Sequence, residues 1–216
     1  VCVLMDEELA EIAGALIGDG CLTLQPRKER KTPNHLIHFT GHLKHDIHYY
    51  LDVVRPIFLK KFDRKGYLQK RLQYNCLYYI VSSLEAFWYF YNLGIPIGIK
   101  GRVRIPKVIL QDQGLSIACV RGIFNTDGSI YRRYSTQYKG HKRLYDHKVV
   151  EFKMIAEDVI HEISNILCSC GIQTTRICKE KNYYRLRITR QTEIDKFFEI
   201  IRPSNSYHSE RYLKRL

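Results

Sequence analysis

The chain is short of acids. It holds 22 Asp and Glu against 35 Lys and Arg in 216 residues, a formal net charge of +13. It has no apolar run near the roughly 18 residues of a membrane span. It shows no charged start followed by an apolar stretch and a cleavage site, so neither a membrane anchor nor a secretory leader is read here. The chain opens on Val1 and its first Met is Met5, which reads as a trimmed or processed start. Paired cysteines are missing too. Cys2, Cys21, Cys76, Cys119, Cys168, Cys170 and Cys178 are odd in number and irregularly spaced, with no CxxC pair and no Cys/His ladder. That excludes a structural zinc pattern and reads as free, mostly buried thiols in a reducing compartment. His35, His38, His42, His45 and His48 cluster locally but lack a carboxylate or Cys at ligand spacing. They read as surface or phosphate-contacting groups rather than metal ligands.

What is present is a globular composition, 45% hydrophobic, with enough apolar side chains for a packed core. Lys and Arg are scattered rather than gathered in a tail. A folded body with a broad basic surface points to a polyanion, and nucleic acid is the commonest one.

The stretch "IAGALIGDGCL" (12–22) reads as an apolar helix containing Gly14 and Gly18 and closing on Asp19. "VRGIFNTDGSI" (120–130) has the same shape, with Gly122 and Asp127 in the matching places. Asp19 and Asp127 stand 108 residues apart, as do Gly14 and Gly122. The same offset carries Glu85 onto Glu193 and Phe90 onto Phe198. The chain is therefore an internal repeat of two.

Periodicity gives each half the same elements. In the first, a helix over 6–18 is N-capped by Asp6 and followed by strands "CLTLQPR" and "HLIHFTG". A helix over about 45–61, strands "GYLQKRL" and "CLYYIVS", and a helix over about 83–93 complete it. Ser82 and Glu85 form an S-x-x-E capping box for that last helix. The second half gives a helix at 115–126, strands near 129–135 and 148–155, a helix at 157–169, strands near 173–179 and 183–189, and a helix at 191–201. The fold class is α+β, with two pseudo-symmetric αββαββα repeats, at 1–93 and 115–216, joined by a Gly/Pro-punctuated linker at 94–114.

A duplicated fold implies a pseudo-twofold axis, and the helix opening each repeat is the natural element to lie on it. A glycine inside a helix costs about 1 kcal/mol relative to alanine. Close packing of two backbones offsets that, and Ala13, Gly14, Gly18, Gly122 and Thr126 supply the small residues. The two helix ends then bring Asp19 and Asp127 together. Two carboxylates beside two negative helix ends repel. Such a place suits a hard divalent cation held by carboxylates, backbone carbonyls and water. On a basic protein that points to metal-assisted phosphodiester hydrolysis. "NTDGS" does not open an EF-hand loop: its twelfth position is Thr136 counted from Asn125 and Tyr138 counted from Asp127, and neither is the Glu such a loop needs.

"IAGALIGDG" (12–20) and "VRGIFNTDG" (120–128) resemble the nine-residue pattern of the LAGLIDADG homing endonucleases, with the closing acid-Gly pair in both copies. "KGRVRIPKVIL" (100–110) is similar to that family's inter-repeat segment. The resemblance spans both halves. It implies a single-chain pseudo-dimer whose two four-stranded antiparallel sheets form a DNA-binding saddle. It implies double-strand cleavage at a long, nearly palindromic site with short 3′ overhangs. Asp19 and Asp127 would be the metal ligands, aided by backbone at Gly18 and Thr126. The cofactor would be Mg²⁺, with Mn²⁺ able to substitute and Ca²⁺ supporting binding without turnover. The family adds a Gln or Lys at the end of each half's second strand and a Lys after each half's last helix. Lys44 and Lys153 lie nearest the first positions and Lys100 fits the second in the first half. The second half reads "RPSNSYHSERYLKRL", with His208 and Arg211 where a Lys is expected, so the two strand cuts are expected to be served unequally.

Strand alternation selects the nucleic-acid face. Thr23, Gln25 and Arg27 share one face of the first strand, and Tyr131 and Arg133 the matching face of the fifth. Arg185 and Arg187 alternate with Leu186 and Ile188. Gln69, Arg71 and Arg176 extend the set, and Arg and Gln suit base edges. Lys28, Arg30, Lys31, Lys139, Lys142 and Arg143 suit phosphates. The 16 tyrosines and the "FWYFY" run (87–91) read as core-edge packing rather than base platforms.

The expected partners are double-stranded DNA and, as a second partner, the host intron RNA. The chain is expected to act as a monomer, away from membranes, inside the cell where the host DNA lies, in a prokaryotic nucleoid or an organelle. Two alternatives remain: an RNA maturase that assists intron splicing, and a catalytically silent DNA-binding protein of the same fold.

Overall fold

The computed structural model describes residues 3–27, 32–135 and 143–214. Lys28, Arg30, Lys31, Lys139 and Lys142 lie outside the described residues, as does the Arg143 side chain.

The first half runs α1 (Glu7–Ile17), β1 (Gly20–Gln25), β2 (Asn34–His42), a π-helical turn at Tyr49–Val54 continuing as α2 (Arg55–Phe62), β3 (Tyr67–Arg71), β4 (Cys76–Ser82) and α3 (Leu84–Asn92). A short helix, α4 (Lys107–Leu110), lies in the joint. The second half runs α5 (Gln113–Asp127), β5 (Gly128–Ser135), β6 (Arg143–Met154), α6 (Glu157–Ser169), β7 (Cys178–Glu180), β8 (Tyr183–Ile188) and α7 (Gln191–Ile201), followed by α8 (Ser206–Leu213). The two four-stranded sheets have the same order, β1-β2-β4-β3 and β5-β6-β8-β7, and every pair is antiparallel. The duplication read from the sequence is a duplication of topology.

The helices α1 and α5 lie side by side between the sheets. A Cβ added at Gly14 would lie 2.0 Å from the Cys119 carbonyl oxygen, and one added at Gly122 would lie 2.0 Å from that of Glu11. The backbones approach so closely that only glycine fits at either crossing. Leu9, Ile12, Ala13, Leu16, Val120, Ile123 and Phe124 fill the surrounding core.

Local signals behave as their chemistry requires, with some shifts. Asp6 caps α1, accepting from the Leu9 N–H at 3.0 Å. Asp112 does the same for α5 through Leu115 at 2.9 Å, so that helix starts earlier than residue 115. The cap of α3 is Ser83, which accepts from the Ala86 N–H, and not Ser82. Ser82 is held in the β4 ladder opposite Leu36, and Glu85 is exposed. The strand expected near 173–179 shortens to β7, because Thr175 meets Arg187 through single bonds rather than a ladder. The helix expected from residue 45 begins at Ile47 and passes into the π-helical turn at Tyr49.

The single offset of 108 also fails to carry through each half. Gly20 pairs with Phe39 and Gly128 with Phe152, so β6 is displaced relative to β2 by a longer connection. In the last helices Phe87 and Phe90 occupy the core where Ile194 and Phe197 do. Phe90 thus matches Phe197 rather than Phe198. Among the described residues no helix is long and apolar enough to cross a membrane.

Candidate metal centre and nucleic-acid face

The α1 helix stops at Gly18, whose N–H donates to the Gly14 carbonyl at 3.0 Å, and Asp19 follows. The α5 helix keeps Asp127 as its last residue. Because the helices are packed flank to flank, the two acids end together. Burial and then the charge of Asp127 push the Asp19 carboxyl up to about 7, with Asp46 adding to the shift and Lys100 opposing it. Burial likewise raises Asp127, again opposed by Lys100.

Lys100 lies at the mouth of α1. Its ammonium donates to the Leu16 and Ile17 carbonyls at 3.0 and 3.1 Å, and to Gly18. The negative helix end and the two acids hold the charge there, while burial draws the lysine pKa down. A cavity of about 330 Å³ joins Gly18, Lys100 and Asp127 to Lys153 and Tyr183. The Lys153 Nζ sits 4.6 Å from the Tyr183 ring centroid.

Lys44 is not part of this arrangement. It lies exposed on the turn after β2, its N–H bonded to the His42 Nδ1. Sheet register gives the position matching Lys153 to Thr40: Lys153 faces Arg185, and Thr40 faces Tyr78. The Thr40 N–H donates to the Asp19 main-chain carbonyl at 3.1 Å. Among the described residues no lysine is bonded to the last carbonyls of α5 as Lys100 is to those of α1. His208, on α8, packs there against Phe124, with ring centroids 4.6 Å apart. Burial pushes that imidazole down to about 4, so it is neutral. Arg211 lies outside, over the Tyr207 ring.

The residues present fit a hard divalent ion. Among the described residues no group of three or more His, Cys, Asp or Glu is placed to hold a metal. The acids stand as a pair, and Mg²⁺ characteristically takes one or two carboxylates and completes its shell with water and substrate phosphate. The Thr126 hydroxyl donates back to the Gly122 and Ile123 carbonyls, so it is engaged within its own helix. The Gly18 carbonyl is shared with Lys100.

The outer faces of the two sheets flank this centre, since Lys153 and Thr40 project from them. On the second sheet Tyr131, Arg133, Lys153, Arg185 and Arg187 share that face. Glu151 stands among them. Its Oε2 accepts from the Tyr131 hydroxyl at 3.0 Å and from Arg187 Nε at 2.5 Å, and Arg185 Nε lies 3.3 Å away. On the first sheet Thr23, Gln25, Gln69, Arg71 and Tyr78 share the face, with Arg71 over the Tyr78 ring at 5.3 Å. Arg27 and Arg176 are exposed just beyond their strands.

Residues 115–202 match the model of the LAGLIDADG-like domain. This half is a LAGLIDADG-like domain. The whole chain has the fold of homing endonucleases that carry this motif. A structure of I-DmoI in complex with DNA and Mn aligns over 97% of this chain and 98% of that one, at 16% identity and a TM-score of 0.64. Mesophilic variants of the homing endonuclease I-DmoI align over 91% and 96%, at 16% identity and a TM-score of 0.65. The meganuclease I-SmaMI bound to uncleavable DNA aligns over 94% and 86%, at 13% identity and a TM-score of 0.60. No curated protein sequence matches the chain.

Several site residues in this fold carry little or no mark in the sequence. Asn205 bridges the halves: its side chain donates to Asp46 at 2.8 Å and to the Asn125 carbonyl at 3.2 Å. Glu11, inside the helix pair, accepts from Asn125, Tyr49 and Arg121. Its one signal is an acid on an otherwise apolar helix stripe. Glu151 alternates with Val150 and Phe152 and could have been placed by strand period alone.

Proposed function

We propose that this chain is a sequence-specific, metal-dependent DNA endonuclease. The observation that carries the reading is the meeting of Asp19 and Asp127, one from each repeat, at the joined ends of α1 and α5. A silent binder gains nothing from two buried carboxylates whose proton affinities are both raised, so their retention favours catalysis over that alternative. The flanking outer faces, with Thr23, Gln25, Gln69, Arg71, Tyr131, Arg133, Arg185 and Arg187, would lie along the major groove, and Arg27 and Arg176 along phosphates. The I-DmoI and I-SmaMI structures in complex with DNA support that placement.

Asp19 and Asp127 would hold the ion, Mg²⁺ or Mn²⁺. A bound divalent ion supplies an activated water and neutralises charge at the scissile phosphate. Lys100 keeps the end of α1 electrically balanced and presents a cation beside Asp127. Lys153 reaches the same cavity from the sheet and would meet phosphate. On the other strand Thr40 and His208 occupy the corresponding places, and neither carries a charge. The product would be a double-strand break with short 3′ overhangs, made by a monomer at a long, imperfect palindrome inside the cell.

The test is cleavage of the host gene lacking its insertion. Cutting is expected with Mg²⁺ or Mn²⁺ and not with Ca²⁺, and the Asp19→Asn and Asp127→Asn chains should bind without making double-strand breaks. Wild-type cleavage by either variant would overturn the assignment.

A further inference from the structure

The two outer faces differ in chemistry far more than the two backbones differ in shape. Register aligns them. Glu151 faces Arg187 as His38 faces Ile80, and Lys153 faces Arg185 as Thr40 faces Tyr78. Where the second sheet has Glu151, Arg187 and Arg185, the first has His38, Ile80 and Tyr78. One face is an ionic cluster; on the other, among the described residues, the strands themselves present a charge only at Arg71, on the edge strand, with Arg27 just beyond β1.

The ionic cluster is ordered by its acid. Glu151 has 13% of its side chain exposed, against 36% for Arg187. It takes the Arg187 Nε, and leaves the two terminal nitrogens of that guanidinium without another partner among the described residues. Arg185 is tied on both sides, to Glu151 and to Glu180. An acid in the centre of the face repels phosphate, so the cluster suits base edges rather than backbone. Guanine offers O6 and N7 side by side in the major groove, and the forked end of an arginine matches them. The first face offers Thr23 for a thymine methyl and Gln25 and Gln69 for adenine.

We propose that the two half-sites are read by different chemistry: Arg187, positioned by Glu151, reads guanine under the second sheet, while the half-site under the first sheet is A·T-rich. This rests on the nuclease reading above and deepens it. Glu151 is a positioning residue, acting through Arg187.

The test is selection of bound duplexes from a randomised DNA library by the full chain in Ca²⁺, repeated with Glu151→Gln and Arg187→Lys. Expected is a consensus with guanine enriched in one half only. Arg187→Lys keeps the charge and loses the fork, so it should lower guanine preference at one position by about tenfold or more while the other half's preferences persist. Glu151→Gln should relax preference at that same position, a local effect that general destabilisation would not produce. A symmetric consensus, or an equal loss across all positions in both variants, would overturn the inference. Retention of no duplex at low salt would overturn the nuclease reading itself, and this inference with it.

Discussion

A Cβ on Gly122 would lie 2.0 Å from the carbonyl oxygen of Glu11. This contact sets how far apart the two motif helices lie, and so how close Asp19 and Asp127 come.

Gly122→Ala should therefore act on stability and activity together. Overpacking a tight contact costs about 1–3 kcal/mol, and here the clash is with backbone that cannot rotate away. A lowered melting temperature with a disproportionate loss of cleavage is expected. An unchanged melting temperature would show that the helices have room to part.

In the ion-free chain the contribution of Asp19 to stability should fall as pH rises. Asp19 titrates near about 7 when folded and near 3.9 when unfolded. Between roughly pH 4 and 7 the folded form keeps a proton that the unfolded form releases, so this contribution is present at low pH and is lost as pH rises through about 7. His208 has the opposite slope below its ordinary pKa, since burial depresses it to about 4. The comparison is thus wild type minus Asp19→Asn, which cancels His208. The wild type should lose ground against the variant between pH 5 and 8 (buffer values of about these), on the order of a few kcal/mol. Added Mg²⁺ at the upper pH should recover it. A difference independent of pH would show that Asp19 is not held in a proton-retaining site.

Lys153→Met should slow one strand cut more than the other. Removing one charge-stabilising donor costs about 10²-fold, and only one strand is served by Lys153. Nicked duplex should accumulate. Equal slowing of both cuts would contradict the inequivalence of Lys153 and Thr40.

DNA affinity should be steeply salt-dependent. With several phosphate contacts, roughly 10³-fold or more should be lost between about 50 and 200 mM salt. A flat response, measured by fluorescence anisotropy, would contradict the basic interface.

The repeat was legible because its key residues are local. Gly14, Asp19, Gly122 and Asp127 sit in short motifs with one spacing, and both strands and helices follow from period 2 and period 3.6. Asp6 announced its cap directly. Ser83 did not, because Ser82 offers the same hydroxyl and only the β4 ladder decides between them. Lys44 was misplaced for a similar reason. The position matching Lys153 depends on sheet register, and a connection of different length shifts that register without changing either strand's pattern. Asn205 and Asp46 were hidden because the chain before α8 returns to the axis from the far end of the sequence, and no local periodicity encodes that return.

On this reading Asp19 and Asp127 together hold a divalent ion against DNA. It is tested most directly by an anomalous difference map of the chain crystallised with its duplex and Mn²⁺. A peak within coordination distance of both carboxylates is expected. Manganese bound elsewhere, or ligated by neither acid, would contradict it.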